Sequence, residues 1–209
     1  MVEAIIFDLY GTLTNGQARP EDKIVAEFGL NSSPDYYHFV ENVVCGTRYK
    51  DEESYLTTLI EKFNLENSDQ NRRRLKDIFA RDLEGEIVRP ETVFVLESLG
   101  KEGIKLGLIS DLPNPAYDLP RKHGFKRYFV HVTYSYETGL LKPDHRPFVS
   151  TLNGVGTTTE ETWMVGNSLK FDIVPARELG MRALLLDPED KNKEYTDKIR
   201  NLKEVLDLV

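Results

Sequence analysis

Four short apolar runs each end in side chains that can do chemistry. Asp8 follows Ala4-Ile5-Ile6-Phe7, Ser110-Asp111 follows the run from Ile104 to Ile109, and Gly166-Asn167 follows Trp163-Met164-Val165. Lys142-Pro143 comes after a further run near residues 128–132, and Asp172 lies just past Asn167. The set comprises acids, an ammonium and a hydroxyl, the groups that bind and attack an anionic substrate. Each also has a plainer use. Asp8 could tie a turn, Lys142 could lie in solvent ahead of a proline, and Ser110 or Asp172 could cap the helix that follows it.

Whether these residues meet depends on the elements that carry them. An uninterrupted run of β-branched and aromatic residues closed by a turn, here at Gly11, reads as a strand buried on both faces, central in a parallel sheet. From about residue 20 to 85 the spacing is helical. Ser33-Pro34 offers a cap and first turn ahead of Tyr37, Val40, Val43 and Val44; Asp51 caps a segment bearing Tyr55, Leu56, Leu59 and Ile60; Ser68 caps a third. After Arg89-Pro90 helices and strands alternate: a helix through Val93 and Leu96, helices near 115–123, at Pro147–Leu152 and at Ile173–Leu179, a strand at Ala183–Leu186, and a terminal helix marked by Tyr195, Ile199, Leu202 and Leu206. Strands joined by helices imply right-handed crossovers and a doubly wound parallel α/β sheet. In such a sheet the ligand crevice lies at the carboxyl ends of the strands, where all four groups stand.

Composition narrows the function classes. With 35 acidic against 27 basic residues, the net charge of -8 disfavours nucleic acid and anionic membrane surfaces as partners. The one dense basic run, Arg72-Arg73-Arg74, precedes Leu75, Ile78 and Phe79 at helical spacing and reads as the wet side of an amphipathic helix. Cys45 is the single cysteine, so no intrachain disulfide forms, and it reads as a small buried hydrophobe. The apolar run at the N-terminus is too short for a membrane span. A cytoplasmic protein, monomeric or homodimeric, is expected.

The segment Asp8-Leu9-Tyr10-Gly11-Thr12-Leu13-Thr14, Ser110, Lys142-Pro143, and Gly166-Asn167 with Asp172 resemble, in order and spacing, the four motifs of the haloacid dehalogenase superfamily. That resemblance implies a Rossmann-like core built from residues 1–14 and 86–209, with a helical cap over residues 15–85. It implies that Asp8 attacks a small anionic substrate to form an ester that water hydrolyses, with Lys142 beside it. Thr12, Ser110, Asp111 and the backbone N–H of Leu9 would hold the anion. Most phosphatases of this family carry a second aspartate two residues after the nucleophile, which protonates the leaving oxygen. Tyr10 stands there, as in the 2-haloacid dehalogenase branch, where halide leaves without a proton. Magnesium, which prefers carboxylate oxygens, would take Asp8, Asp172 and Asn167 as ligands and is required only for phosphate ester hydrolysis. The dehalogenases in turn carry an asparagine where this chain has Asp111, a tyrosine where Phe148 stands, and a cap arginine for which Arg19 and Arg48 are the nearby candidates. The expectation is a hydrolase resembling 2-haloacid dehalogenases. Its alternatives are a magnesium-dependent phosphatase, with Tyr10 in place of the usual acid, and a non-catalytic binding protein on the same fold.

Overall fold

The computed structural model describes residues 2–16 and 18–209. Six strands, β1 (Ala4–Phe7), β2 (Lys105–Ser110), β3 (His131–Tyr134), β4 (Thr162–Gly166), β5 (Arg182–Leu186) and β6 (Lys198–Ile199), form one sheet in the order β3-β2-β1-β4-β5-β6. Every pairing is parallel. The order reverses at β1, which makes the carboxyl end of that strand the switch point at which doubly wound sheets bind ligands. All four β1 residues are fully buried, because β1 is paired on both edges and covered on both faces. Burying Ile5, Ile6 and Phe7 contributes about 1.5–3 kcal/mol each. Successive side chains alternate between faces, so Ile5 and Phe7 join one hydrophobic core while Ile6 joins the other.

Helices α1 (Pro20–Phe28), α2 (Pro34–Cys45), α3 (Glu52–Lys62) and α4 (Asp69–Glu84) run consecutively between β1 and α5 (Thr92–Lys101). The two ends of this excursion are pinned together: Thr14 and Val88 form an antiparallel bridge, Asn15 N donates to Ile87 O at 2.8 Å and Arg89 N donates to Leu13 O at 3.0 Å. Asp51 and Ser68 cap α3 and α4 as their residue types suggest, Asp51 within a reciprocal capping box with Ser54. Ser33 precedes α2 with extended backbone, but its side chain makes no capping bond; Pro34 at the first turn fixes the entry instead. The arginine run lies on the outer face of α4, where Arg72 pairs with Glu53 at 3.0 Å and Arg74 with Glu27 at 3.4 Å. Inward-facing Ile24, Val40, Leu56 and Leu75 belong to the same core as Phe7 and the α5 residues Val95, Leu96 and Leu99.

Beyond β2 the chain departs from its periodicity in three places. A single helix over 115–123 is replaced by a 3-10 turn at Pro115–Tyr117 and the short α6 (Leu119–Lys122), because Asn114 and Asp118 each cap a fresh start. The strand read near 128–132 begins at His131, after a 3-10 turn at Lys126–Tyr128, and leads into the one-turn α7 (Ser135–Thr138). Further on, α8 (His145–Val155) and α9 (Val174–Glu178) cover the second sheet face. The expected terminal helix is absent: Lys198–Ile199 is β6, with Ile199 paired to Leu186, and Leu202–Leu208 is a 3-10 helix capped by Asn201. A β-branched residue beside an open sheet edge gains more from pairing than from one more helical turn. Among the described residues no helix is long and apolar enough to cross a membrane.

Asp82 of α4 ties the four helices to the loop after β2. Its side chain is 3% exposed, pairs with Lys23 at 2.8 Å, and accepts Tyr117 Oη at 2.9 Å and Arg19 N at 3.2 Å. Replacing it by alanine leaves those donors without their shared acceptor, so Asp82→Ala is expected to lower unfolding stability by about 1.5–3 kcal/mol, read from urea denaturation.

Candidate active site

Parallel pairing brings the four strand ends to one rim, and there the separated side chains meet. Lys142 Nζ lies 2.7 Å from Asp8 Oδ1 and 2.7 Å from Asp172 Oδ1, an ammonium bridging two carboxylates. All three groups are buried. The second oxygens are also held: Thr12 Oγ1 donates to Asp8 Oδ2 at 2.9 Å, and Ser168 N donates to Asp172 Oδ2 at 3.0 Å. Asp172 therefore does not cap the helix through Arg177. That role falls to Ser168, whose hydroxyl accepts Phe171 N and opens a π-helical turn at Leu169–Ile173. Two glycines make room. Gly11, in the left-handed region at φ 81, lies where any Cβ would strike the Asn167 amide, and a Cβ at Gly166 would strike the Asp172 side chain.

Burial pushes the Asp8 carboxyl up to about 6 against the pull of Lys142. For Lys142 burial works against the charge, but Asp172, Asp8 and Asp111 outweigh it and hold the ammonium above its ordinary range. At neutral pH the site thus has an ionised carboxylate fixed by a permanent cation.

The groups face a cavity of about 250 Å³. Ser110, 2% exposed, lines it, and among the described residues its hydroxyl has no hydrogen-bond partner. Asp111 lines it too, both carboxylate oxygens taking the Lys142 amide, at 3.2 and 3.3 Å. Asn167 completes this side, 3.5 Å from the Thr12 hydroxyl. Thr12 is fully buried and stays behind Asp8 instead of lining the cavity. Leu9 has its side chain in the core, so only its amide can serve a ligand. Among the described residues neither the Leu9 nor the Tyr10 amide donates a backbone hydrogen bond. Tyr10 borders the cavity with its hydroxyl turned away, donating to Tyr117 O at 2.9 Å. Phe148 is fully buried in the second core and Arg48 is exposed, so neither joins the site.

Several lining or supporting groups carried no motif. Arg89 anchors the loop after Asp8, donating from Nε to Thr12 O at 2.8 Å and from Nη2 to Gly11 O at 3.0 Å. Only its place before Pro90, at the return from the helices, could have drawn notice. From the helices come Arg19, Glu21, Glu41 and Cys45. Arg19 is committed to acids, with Nε 3.3 Å from Glu21 and 3.1 Å from Asp22. Glu21 is 6% exposed, and burial pushes its carboxyl up to about 7 despite Arg19.

Two expectations follow. Arg89→Met frees two loop carbonyls and should lower stability by about 1.5–3 kcal/mol and turnover by about 10-fold, read from denaturation and steady-state rates on the same preparation. Glu21 binds its proton more tightly folded than in a chain where glutamate titrates near 4.5, so its contribution to stability is full below that value and is lost as pH rises through about 7. Glu21→Gln removes the dependence, and its stability relative to the parent should rise by about 1–3 kcal/mol between pH 5 and pH 8 in urea titrations.

Comparison with known proteins agrees with this geometry. Residues 2–180 match the haloacid dehalogenase-like hydrolase family. A glyceraldehyde 3-phosphate phosphatase of Methanocaldococcus jannaschii is 31% identical over 100% of this chain and 97% of its own length. A phosphoserine phosphatase of Thermus thermophilus is 32% identical over 64% of this chain and 55% of the relative. Among solved structures, a HAD phosphatase from Thermococcus onnurineus aligns at a TM-score of 0.67 and 24% identity, covering 99% of this chain and 97% of that one. A 2-haloacid dehalogenase from Pseudomonas syringae pv. Tomato DC3000 gives 0.70 at 21% identity, over 100% and 98%. These last two likenesses speak to the fold. With the family matched from the first strand to the helix before β5, this chain belongs to the haloacid dehalogenase-like hydrolases and is a hydrolase.

Proposed function

We propose that this hydrolase is a phosphatase of small phosphate monoesters, with Asp8 as nucleophile and helices α1–α4 as a cap, residues 15–85, over a core of 1–14 and 86–209. The observation that carries the choice of substrate is the charge on the cavity walls. The lining cation Lys142 lies between Asp8 and Asp172, Asp111, Glu21 and Glu41 also line the cavity, and Arg19 is tied to its own acids. A phosphate monoester matches this layout: its single anionic group sits by Lys142 and its uncharged remainder faces the acids. A 2-haloacid needs a second cation for its carboxylate, and among the described residues that line the cavity the other cation, Arg19, is paired with Glu21 and Asp22. The cavity lies below the roughly 300–1,000 Å³ of drug-sized pockets, which suits a small substrate. The phosphatases among the relatives support the same reading.

In this reading Asp8, held through both oxygens, attacks phosphorus and displaces the alcohol. Lys142 offsets the charge of the arriving phosphoryl group, with Ser110 and the Leu9 and Tyr10 amides as donors to its oxygens. Water then attacks the aspartyl phosphate and frees Asp8. Asp8, Asp172 and the Asn167 amide oxygen fit magnesium, which takes one or two protein carboxylates and leaves other places to water and substrate phosphate. Among the described residues no group of three acids, histidines or cysteines forms a metal cage, so water and substrate phosphate would supply the remaining ligands. Bound there, magnesium would neutralise phosphate charge. Dehalogenation is the second reading, favoured by Tyr10, because a leaving halide needs no proton.

One assay tests both. Purified protein is offered p-nitrophenyl phosphate, glycerol phosphate and 2-chloropropionate, each with magnesium and with chelator, beside Asp8→Asn. Expected is phosphate release that needs magnesium and falls by about 10³-fold or more in Asp8→Asn. Halide release that persists in chelator, without phosphate release, would replace this reading by the second, and parental rates in Asp8→Asn would end both.

A further inference from the structure

A phosphatase must protonate the oxygen it expels, and here the position two residues after the nucleophile cannot do so. The Tyr10 hydroxyl donates to the Tyr117 carbonyl at 2.9 Å. Burial, with Glu86, Asp82 and Asp118 around it, pushes its pKa further above that of free tyrosine. A proton given up from that site would leave a phenolate beside three acids.

The strand beside it is followed by a carboxyl that lines the same cavity. β1 and β2 run parallel with Phe7 level with Leu108, and Tyr10 and Asp111 each lie three residues beyond that pair, at the mouth of the crevice. Of the carboxyls that line the cavity, Asp8 and Asp172 are bound by Lys142, while Glu21 faces Arg19. Glu41, on α2, has His38 at 3.4 Å. Asp111 alone among these has no side-chain partner, holding just the long bonds to the Lys142 amide. It lines the same cavity as Asp8, Asp172 and Cys45 of α2, and its oxygens take the amide of Lys142, whose ammonium bridges Asp8 and Asp172.

We propose that Asp111 is the general acid and base of this site, in the place that Tyr10 leaves vacant. The proposal rests on the phosphatase reading. In the first step an Asp8 oxygen bonds to phosphorus as the bond from phosphorus to the leaving oxygen breaks, and the Asp111 proton passes to that oxygen to give the alcohol. In the second, Asp111 as carboxylate takes a proton from the water that attacks phosphorus. The Asp8–phosphorus bond breaks, inorganic phosphate leaves, and Asp111 is protonated again. Burial pushes Asp111 up to about 7 in spite of Lys142, so both protonation states are populated at neutral pH.

Leaving-group dependence separates this role from a structural one. Asp111→Asn keeps an oxygen for the Lys142 amide and removes only the proton. The full chain with magnesium is mixed with an alkyl phosphate, whose oxygen must be protonated, and with p-nitrophenyl phosphate, whose nitrophenolate leaves without a proton. Release of alcohol and of nitrophenolate is followed through the first turnover for the parent, Asp111→Asn and Tyr10→Phe. Expected in Asp111→Asn is a loss of about 10²–10³-fold on the alkyl ester, a change of less than about 5-fold in the nitrophenolate burst, and slow phosphate release behind that burst. Tyr10→Phe should keep the parental ratio of alkyl to aryl rates. That ratio does not depend on how much of a variant is folded. Equal losses on both esters in Asp111→Asn, no loss on either, or a selective alkyl loss in Tyr10→Phe would each overturn the assignment while leaving the phosphatase reading in place. A parent enzyme inert toward both esters would overturn the two together.

Discussion

The structure is organised around one buried ammonium. Two carboxylates as close as Asp8 and Asp172 cannot both stay ionised without a cation between them, and taking three charges out of water costs several kcal/mol per ion unless each is hydrogen-bonded. Lys142 meets that condition with equal 2.7 Å contacts to both acids, while Thr12 and the Ser168 amide take the oxygens that remain. The arrangement leaves one net negative charge and little freedom. Gly11 and Gly166 lack side chains because the Asn167 and Asp172 side chains occupy that space, and Arg89 fixes the loop that turns under Asp8. A site so constrained can present a carboxylate in one orientation to a substrate.

That ammonium sets what else the cavity can accept. With Lys142 engaged by Asp8 and Asp172 and further acids lining the cavity, the walls favour a ligand that is anionic at one end only. The helices contribute to the same field, since Arg19 approaches the cavity with Glu21 and Asp22 already beside it. Their attachment is equally polar. Tyr117, on the loop after β2, reaches Asp82 of α4 with its hydroxyl while its carbonyl receives the hydroxyl of Tyr10. The position of the helices over the crevice is thereby linked, through one residue, to the residue two places after Asp8.

Much of this was legible in the sequence where local physics decides it. β1 could be read because a strand paired and covered on all sides must be uniformly apolar, and α3 and α4 because Asp51 and Ser68 carry cap chemistry next to helical spacing. The strand ends could be read because parallel topology leaves one rim for the residues that follow them. What could not be read was set between distant segments. Arg89, Asp82 and Tyr117 act on partners 35 to 107 positions away, and nothing local marks them. Thr12 was taken for a substrate ligand on its residue type, but full burial turns its hydroxyl to Asp8. The terminal segment misled because Tyr195, Ile199, Leu202 and Leu206 satisfy helical spacing, whereas the open edge of β5 selects Ile199 for pairing.

Tyr10 and Asp111 are best understood as one device. The field at position 10 comes from Glu86, Asp82 and Asp118, so a carboxylate there would add a fourth negative charge to a region whose cations Lys23 and Lys126 are already paired with Asp82 and Asp118. A neutral phenol avoids that repulsion, packs on Tyr117 at 6.1 Å between ring centroids, and satisfies a buried carbonyl. The acid is then needed nearer to Lys142, and after the neighbouring strand is where Asp111 stands, acted on more strongly by that ammonium than by either carboxylate. Carrying the proton on the segment after β2 instead of the segment after β1 keeps it on the cavity wall. An aromatic residue two places after Asp8 therefore does not by itself select a reaction that needs no proton; what decides is whether the cavity holds another carboxyl without a side-chain partner, and among the described residues Asp111 is one, its oxygens taking only the Lys142 amide.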